Sequence, residues 1–182
     1  MLPPPIGRRS FARNDRGAVA VEFAILALPF FTLIFAILET SIVFFAGQIL
    51  DSAVQDASRF IRTGQAQNSS WSINEFRAQV CDRLYGLFDC NNVKIKVSVV
   101  SNFASATVTN PIDPDCSLTG DPSECDWTLT ESYDDGTGSS VVLVQAYYKW
   151  PTVINLPGFN LATQAGNTRL LSAVRVFRNE PF

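Results

Sequence analysis

The 182 residues give room for one ordinary folded domain plus a membrane segment. They are 47% hydrophobic with a mean hydropathy of +0.12, and that excess is concentrated before residue 50. Arg8, Arg9, Arg13 and Arg16 against Asp15 give the first seventeen residues a charge of +3, so with −3 overall the remainder carries −6. A body that acidic repels phosphate and argues against nucleic-acid binding, while the basic patch abuts an apolar run, where it sets membrane orientation.

Residues 1–17, MLPPPIGRRSFARNDRG, have no apolar period and read as an unfolded cytoplasmic tail. Ala18 to Leu38 is almost wholly apolar, and twenty-one residues at helical rise cover about 31 Å, enough for a bilayer core. A cleaved secretory signal would have an apolar core of only about 7–15 residues before a small-x-small site, and the best such site here, Phe45-Ala46-Gly47, is far downstream. Arginines before the run place the N-terminus in the cytoplasm and the rest of the chain outside. Pro29 predicts a kink or a loosened turn within the span.

The helical pattern continues past Glu39. Ile42, Ala46, Ile49, Leu50, Ala53, Val54, Ala57, Phe60 and Ile61 recur at amphipathic spacing, with Gly64 as a stop. The expected divisions are a leader (1–17), a transmembrane helix (18–40), its amphipathic continuation (41–64) and an extracytoplasmic domain (65–182). In that domain Ser72-Ile73-Asn74-Glu75 fits a capping box, with Trp71 and Phe76 as its staple. Phe76, Val80 and Leu84 would be the buried stripe, and Gly86 the end.

Strands follow. Val93 to Val99 alternates Val and Ile with Lys and Ser, Val141 to Trp150 is a longer β-branched and aromatic run ended by Pro151, and Leu170 to Phe177 is the third. Three strands with one face covered by the helix make a stable small unit. The class is therefore α+β, a long N-terminal helix packed on a small antiparallel sheet. Residues 110–140, rich in Pro, Asp, Gly and Ser, read as an exposed excursion.

Cys81 and Cys90, and Cys116 and Cys125, are spaced nine apart. An even count beyond a membrane-targeting run suggests disulfides in an oxidising compartment, with three pairings open and two local loops preferred. A metal site is disfavoured by the absence of histidine and of C-x-x-C. Asp113, Asp115, Ser117, Thr119, Asp121 and Glu124 fall at EF-hand-like positions. However, Leu118 stands where the sharp turn needs glycine, so a solvated acidic loop is the better reading. Without histidine, a G-x-S-x-G elbow, a Walker loop or a dinucleotide fingerprint, neither an enzyme nor a cofactor is supported.

Glu22 has no bland explanation. A carboxylate at the centre of a membrane helix costs roughly 2.5–3.5 kcal/mol, less near an end. Cleavage after Gly17 would place a new amine on Ala18, four residues away, to offset that cost; the plain alternative is snorkelling toward the headgroups beside Arg16.

Arg16-Gly17-Ala18-Val19-Ala20-Val21-Glu22-Phe23 resembles the processing site of type IV pilin-like proteins: a basic leader, glycine before the cut, and glutamate shortly after it. More closely, residues 13–60 resemble the TadE-like family of tight-adherence (Flp) pilus systems, matching at Gly17, Glu22, Phe23, Pro29, Glu39, Ala53, Ala57 and Arg59. Ser41 replaces the usual glycine of that family's E-x-G, and Phe177 to Phe182 has the look of such C-termini. The resemblance implies a type IV pilin-like fold and a pseudopilin or minor pilin cut at Gly17–Ala18 by a prepilin peptidase. Such a protein would sit in the bacterial inner membrane with its domain periplasmic. It would assemble through Glu22 with other pilins, pseudopilins and platform proteins to build or initiate an adhesive pilus. From a different class, a membrane-anchored periplasmic binding or sensor domain, with Glu22 incidental, fits the same architecture.

Overall fold

The structure, a computed structural model, describes residues 15–156 and 159–182. Arg8, Arg9 and Arg13 lie outside the described residues, as does the Arg16 side chain. Helix α1 runs Asp15–Arg62, passing through Pro29. It begins three residues inside the expected unfolded leader. By internal contacts the chain divides after Leu38 into two compact units.

In the first unit the apolar side chains of α1 face outward, and its length and composition suffice to cross a membrane. In the second, Glu39–Phe182, one stripe of α1 is buried: Val43, Ala46, Leu50, Ala53, Val54, Ala57 and Ile61. These steps of three and four follow the helical period. The expected Ile42 is instead 51% exposed, and Val43, one residue on, takes its place. Ser58 is buried on the same side, its hydroxyl donating to the Val54 carbonyl at 2.6 Å.

Thr63 and Gly64 (φ +79°) end α1, and a single turn, α2 (Gln65–Asn68), leads to α3 (Ile73–Asp82). α3 has the expected capping box: Asn74 N donates to Ser72 Oγ at 3.2 Å, and Ser72 N donates to Glu75 at 2.8 Å. Phe76, Val80 and Leu84 are fully buried. Trp71 packs against Phe60 of α1, and Phe76 against Tyr133.

The sheet is antiparallel, in the order β1 (Lys94–Val100), β2 (Val141–Pro151), β5 (Thr168–Arg178). A minimal hairpin of β3 (Asn155–Leu156) and β4 (Phe159–Asn160) lies between β2 and β5. The register puts Ile95, Val97, Val142, Val144, Ala146, Tyr148, Leu171 and Ala173 on the face packed with the helices. Val99 belongs to that face by parity and is 40% exposed. As the central strand, β2 is buried at every residue from Val141 to Tyr148. This explains why it reads as a continuous apolar run rather than an alternating one.

The 110–140 stretch is more than an exposed excursion. Residues 131–134 run along the free edge of β1: Val97 N donates to the Ser132 carbonyl at 2.8 Å, and Asp134 N to the Val97 carbonyl at 3.1 Å. An unpaired edge is thereby covered. Ile112 and Cys125 are buried with Ala165, flanked by Cys116, Trp127 and Leu170, as a second small core.

Candidate processing and assembly site

The Gly17–Ala18 bond lies in the first turn of α1, where backbone N–H groups have no intrahelical acceptor. Gly17 is exposed, with open space where a Cβ would stand. A glycine here weakens the turn and leaves the bond easy to unwind. Ala18, Glu22 and Phe23 are also exposed, and the four-residue spacing places Ala18 and Glu22 on the same face of the helix. Among the described residues no ion pair engages Glu22. The next basic residue after Arg16 in the sequence is Arg59.

A second carboxylate in the apolar stretch has a structural role that sequence reasoning did not assign. Glu39 is the only charged residue between Glu22 and Asp51. Its carboxylate accepts from Val153 N and from Ile154 N, the latter at 3.1 and 3.2 Å, so it ties the turn after β2 to α1. An isolated charge in an apolar run was the available signal.

Further along α1, Asp51 pairs with Arg175 of β5, which also reaches Gln55 at 3.4 Å. The end of α1 is closed by the C-terminal tail: Glu180 N donates to the Arg62 carbonyl at 2.8 Å, and the Phe182 ring lies over Gly64. Asn179, buried, donates to the carbonyls of Asp135 at 2.9 Å and Thr137 at 3.0 Å.

Cys81 bonds Cys90, linking the end of α3 to the turn before β1, and Cys116 bonds Cys125 within the excursion. Lys149 Nζ donates to the Cys125 carbonyl and stands 4.7 Å over the Trp127 ring. Burial lowers its pKa, against the opposing pull of Asp126. The acidic loop uses its carboxylates on its own turns. Asp113 accepts from Asp115 N at 3.0 Å, Asp121 from Ser123 N at 2.8 Å, and Glu124 from Asp121 N at 3.2 Å. Hydrogen bonds from Ser123 hold the Asp121 carboxyl below its usual pKa. Among the described residues no group of three or more His, Cys, Asp or Glu is placed to hold a metal ion.

Residues 17–59 match the family model described as TadE-like protein. The chain carries a TadE-like segment. It begins at Gly17, includes Glu22 and Glu39, and ends at Arg59, so it takes in the exposed apolar run and the buried stripe from Val43 to Ala57. Residues 60–182, with both disulfides and all the strands, lie outside the TadE-like match. No curated protein and no solved structure matches the chain.

Proposed function

We propose that this chain is a pseudopilin or minor pilin of a tight-adherence (Flp, type IV-like) pilus system, processed between Gly17 and Ala18 by a prepilin peptidase. The observation that carries the reading is the placement of Gly17, Ala18 and Glu22 at the head of an exposed apolar helix, within a segment that matches the TadE-like family.

The precursor is anchored by residues 18–38, with Arg8, Arg9, Arg13 and Arg16 holding the leader on the cytoplasmic side of the inner membrane and residues 39–182 in the periplasm. Removal of the leader deletes those four cations and creates the Ala18 ammonium. Glu22 then pairs with that ammonium, in its own helix or in a neighbour's, which offsets the desolvation of its carboxylate in lipid. The apolar ring of α1 packs against other pilin-like helices and the assembly platform, while the outer unit supplies the surface. The role is structural, and the disulfides suit an oxidising compartment.

Glu22→Ala separates the two parts of this reading. Cleavage by co-expressed peptidase, followed as a mobility shift, is expected to persist while piliation falls. Normal piliation in the variant would remove the assembly role of the charge.

A further inference from the structure

Charged residues make up 17% of the chain, so a 19-residue stretch at that rate would hold about three. Residues 150–168 hold none, and neither do residues 40–50 of α1. The two uncharged stretches meet at Glu39, which accepts from the amides of Val153 and Ile154 and immediately follows the apolar run. Large apolar side chains face outward at this junction beside the exposed, uncharged Thr40, Ser41 and Asn155: Val153 is 90% exposed, Phe44 72% and Phe45 60%. Helical rise puts Phe45 about 9 Å beyond Glu39, close to the depth of one headgroup layer.

We propose that residues 40–45 of α1 and the 152–154 turn form an uncharged collar seated in the interfacial layer of the bilayer, so that lipid is the partner of this end of the outer unit. Lipid is favoured over another protein by covalent continuity, since the residue before Glu39 is the last of the apolar run. Phe44, Phe45 and Val153 gain by leaving water, and residues 40–50 and 150–168 themselves carry no ionic group to desolvate. Glu39, the only charge in the sequence between Glu22 and Asp51, has its carboxylate hydrogen-bonded within the protein, as a polar group needs to be where water is scarce. The collar rests on residues 18–38 spanning the membrane but requires neither cleavage nor assembly.

The test uses the full, uncut chain at one copy per lipid nanodisc, with lipid brominated near the top of its acyl chains. Tryptophan is introduced singly at Val153, at Leu28 within the span, and at Tyr85, which is 80% exposed and follows Arg83, itself stacked on Phe60 near the end of α1. Each signal is read against the parent chain. Val153→Trp is expected to emit at shorter wavelength and to be quenched at least twofold more than Tyr85→Trp. Quenching of Leu28→Trp with Val153→Trp left as unquenched as Tyr85→Trp would overturn the collar while leaving the span intact. No quenching at either Leu28 or Val153 would overturn both. A blue shift at Val153 that needs several copies per disc would mean a protein partner, and would also overturn the proposal.

Discussion

Replacing Glu131 with alanine removes an acceptor that ties the excursion to both α3 and the edge of the sheet. Glu131 Oε1 accepts from Ile95 N and from Arg77 Nη2, each at 2.8 Å, and Lys94 Nζ lies 3.9 Å from Oε2. Arg77 also donates to the Val93 carbonyl. Losing a partner of a fully buried pair costs about 3–5 kcal/mol, and a hydrogen bond to a charged group contributes about 1.5–3 kcal/mol. The Arg77 and Glu131 side chains keep 22% and 26% of their exposure, so solvent relieves part of the loss. Glu131→Ala is therefore expected to destabilise the outer unit by about 2–3 kcal/mol. Glu131→Gln, which keeps an acceptor for Ile95 but loses the charge, should cost about 1–1.5 kcal/mol.

The pH dependence has a definite sign. Burial alone would raise the Glu131 carboxyl, but the Ile95 amide, the Arg77 guanidinium and the Lys94 ammonium outweigh it and hold the pKa below its ordinary 4.5. A depressed carboxyl contributes stability that is complete above the unfolded-state value and is lost as pH falls through the folded one. The gap between the parent and Glu131→Ala should therefore narrow below about pH 4.5. Urea unfolding of the full chain in detergent, followed by tryptophan fluorescence at several pH values, measures both. A difference under about 0.5 kcal/mol at pH 7, or a gap that stays constant down to pH 3, would refute the reasoning.

Gly64→Ala would place a Cβ 2.6 Å from Cγ of Phe182 at a φ of +79°. A loss of at least about 1 kcal/mol is expected, together with faster amide exchange at Glu180, and an unchanged exchange rate would count against the tail closing α1. Replacing Cys116 and Cys125 together by serine opens a short loop whose closure entropy corresponds to about 2.5 kcal/mol. The same denaturation assay should show a loss of up to that size, with Trp127 fluorescence changed; a stable variant with unchanged Trp127 would mean the small second core stands without its bridge. Glu39→Ala should speed amide exchange at Val153 and Ile154 at least tenfold and leave the sheet amides protected. Equal protection with and without the carboxylate would contradict its anchoring role.

The helices and the three long strands were legible because each repeats a period over many residues. The stripe from Ala46 to Ile61, the capping box at Ser72 and the alternation from Val93 are all local patterns. Val43 replaced Ile42 because the stripe drifts around a 3.6-residue helix, and only the partner face settles which neighbour turns inward. The role of residues 131–134 was hidden because their contacts to β1 are backbone hydrogen bonds and one carboxylate, which polar composition does not distinguish from a solvated loop. The core around Ile112 and Cys125 is not legible in the sequence because its members are isolated there. The β3–β4 hairpin is two residues a side, too short for any period, although Pro157-Gly158 signals a turn. Glu22 and Gly17 were visible from the outset through their chemistry. What Glu39 holds needed the fold, because its partners are more than a hundred residues away.

N-terminal sequencing of the chain after co-expression with a prepilin peptidase tests the central claim most directly. The account predicts a mature protein that begins at Ala18 and lacks the seventeen-residue leader. A product that still begins at Met1, or one cut at any other bond, would contradict it.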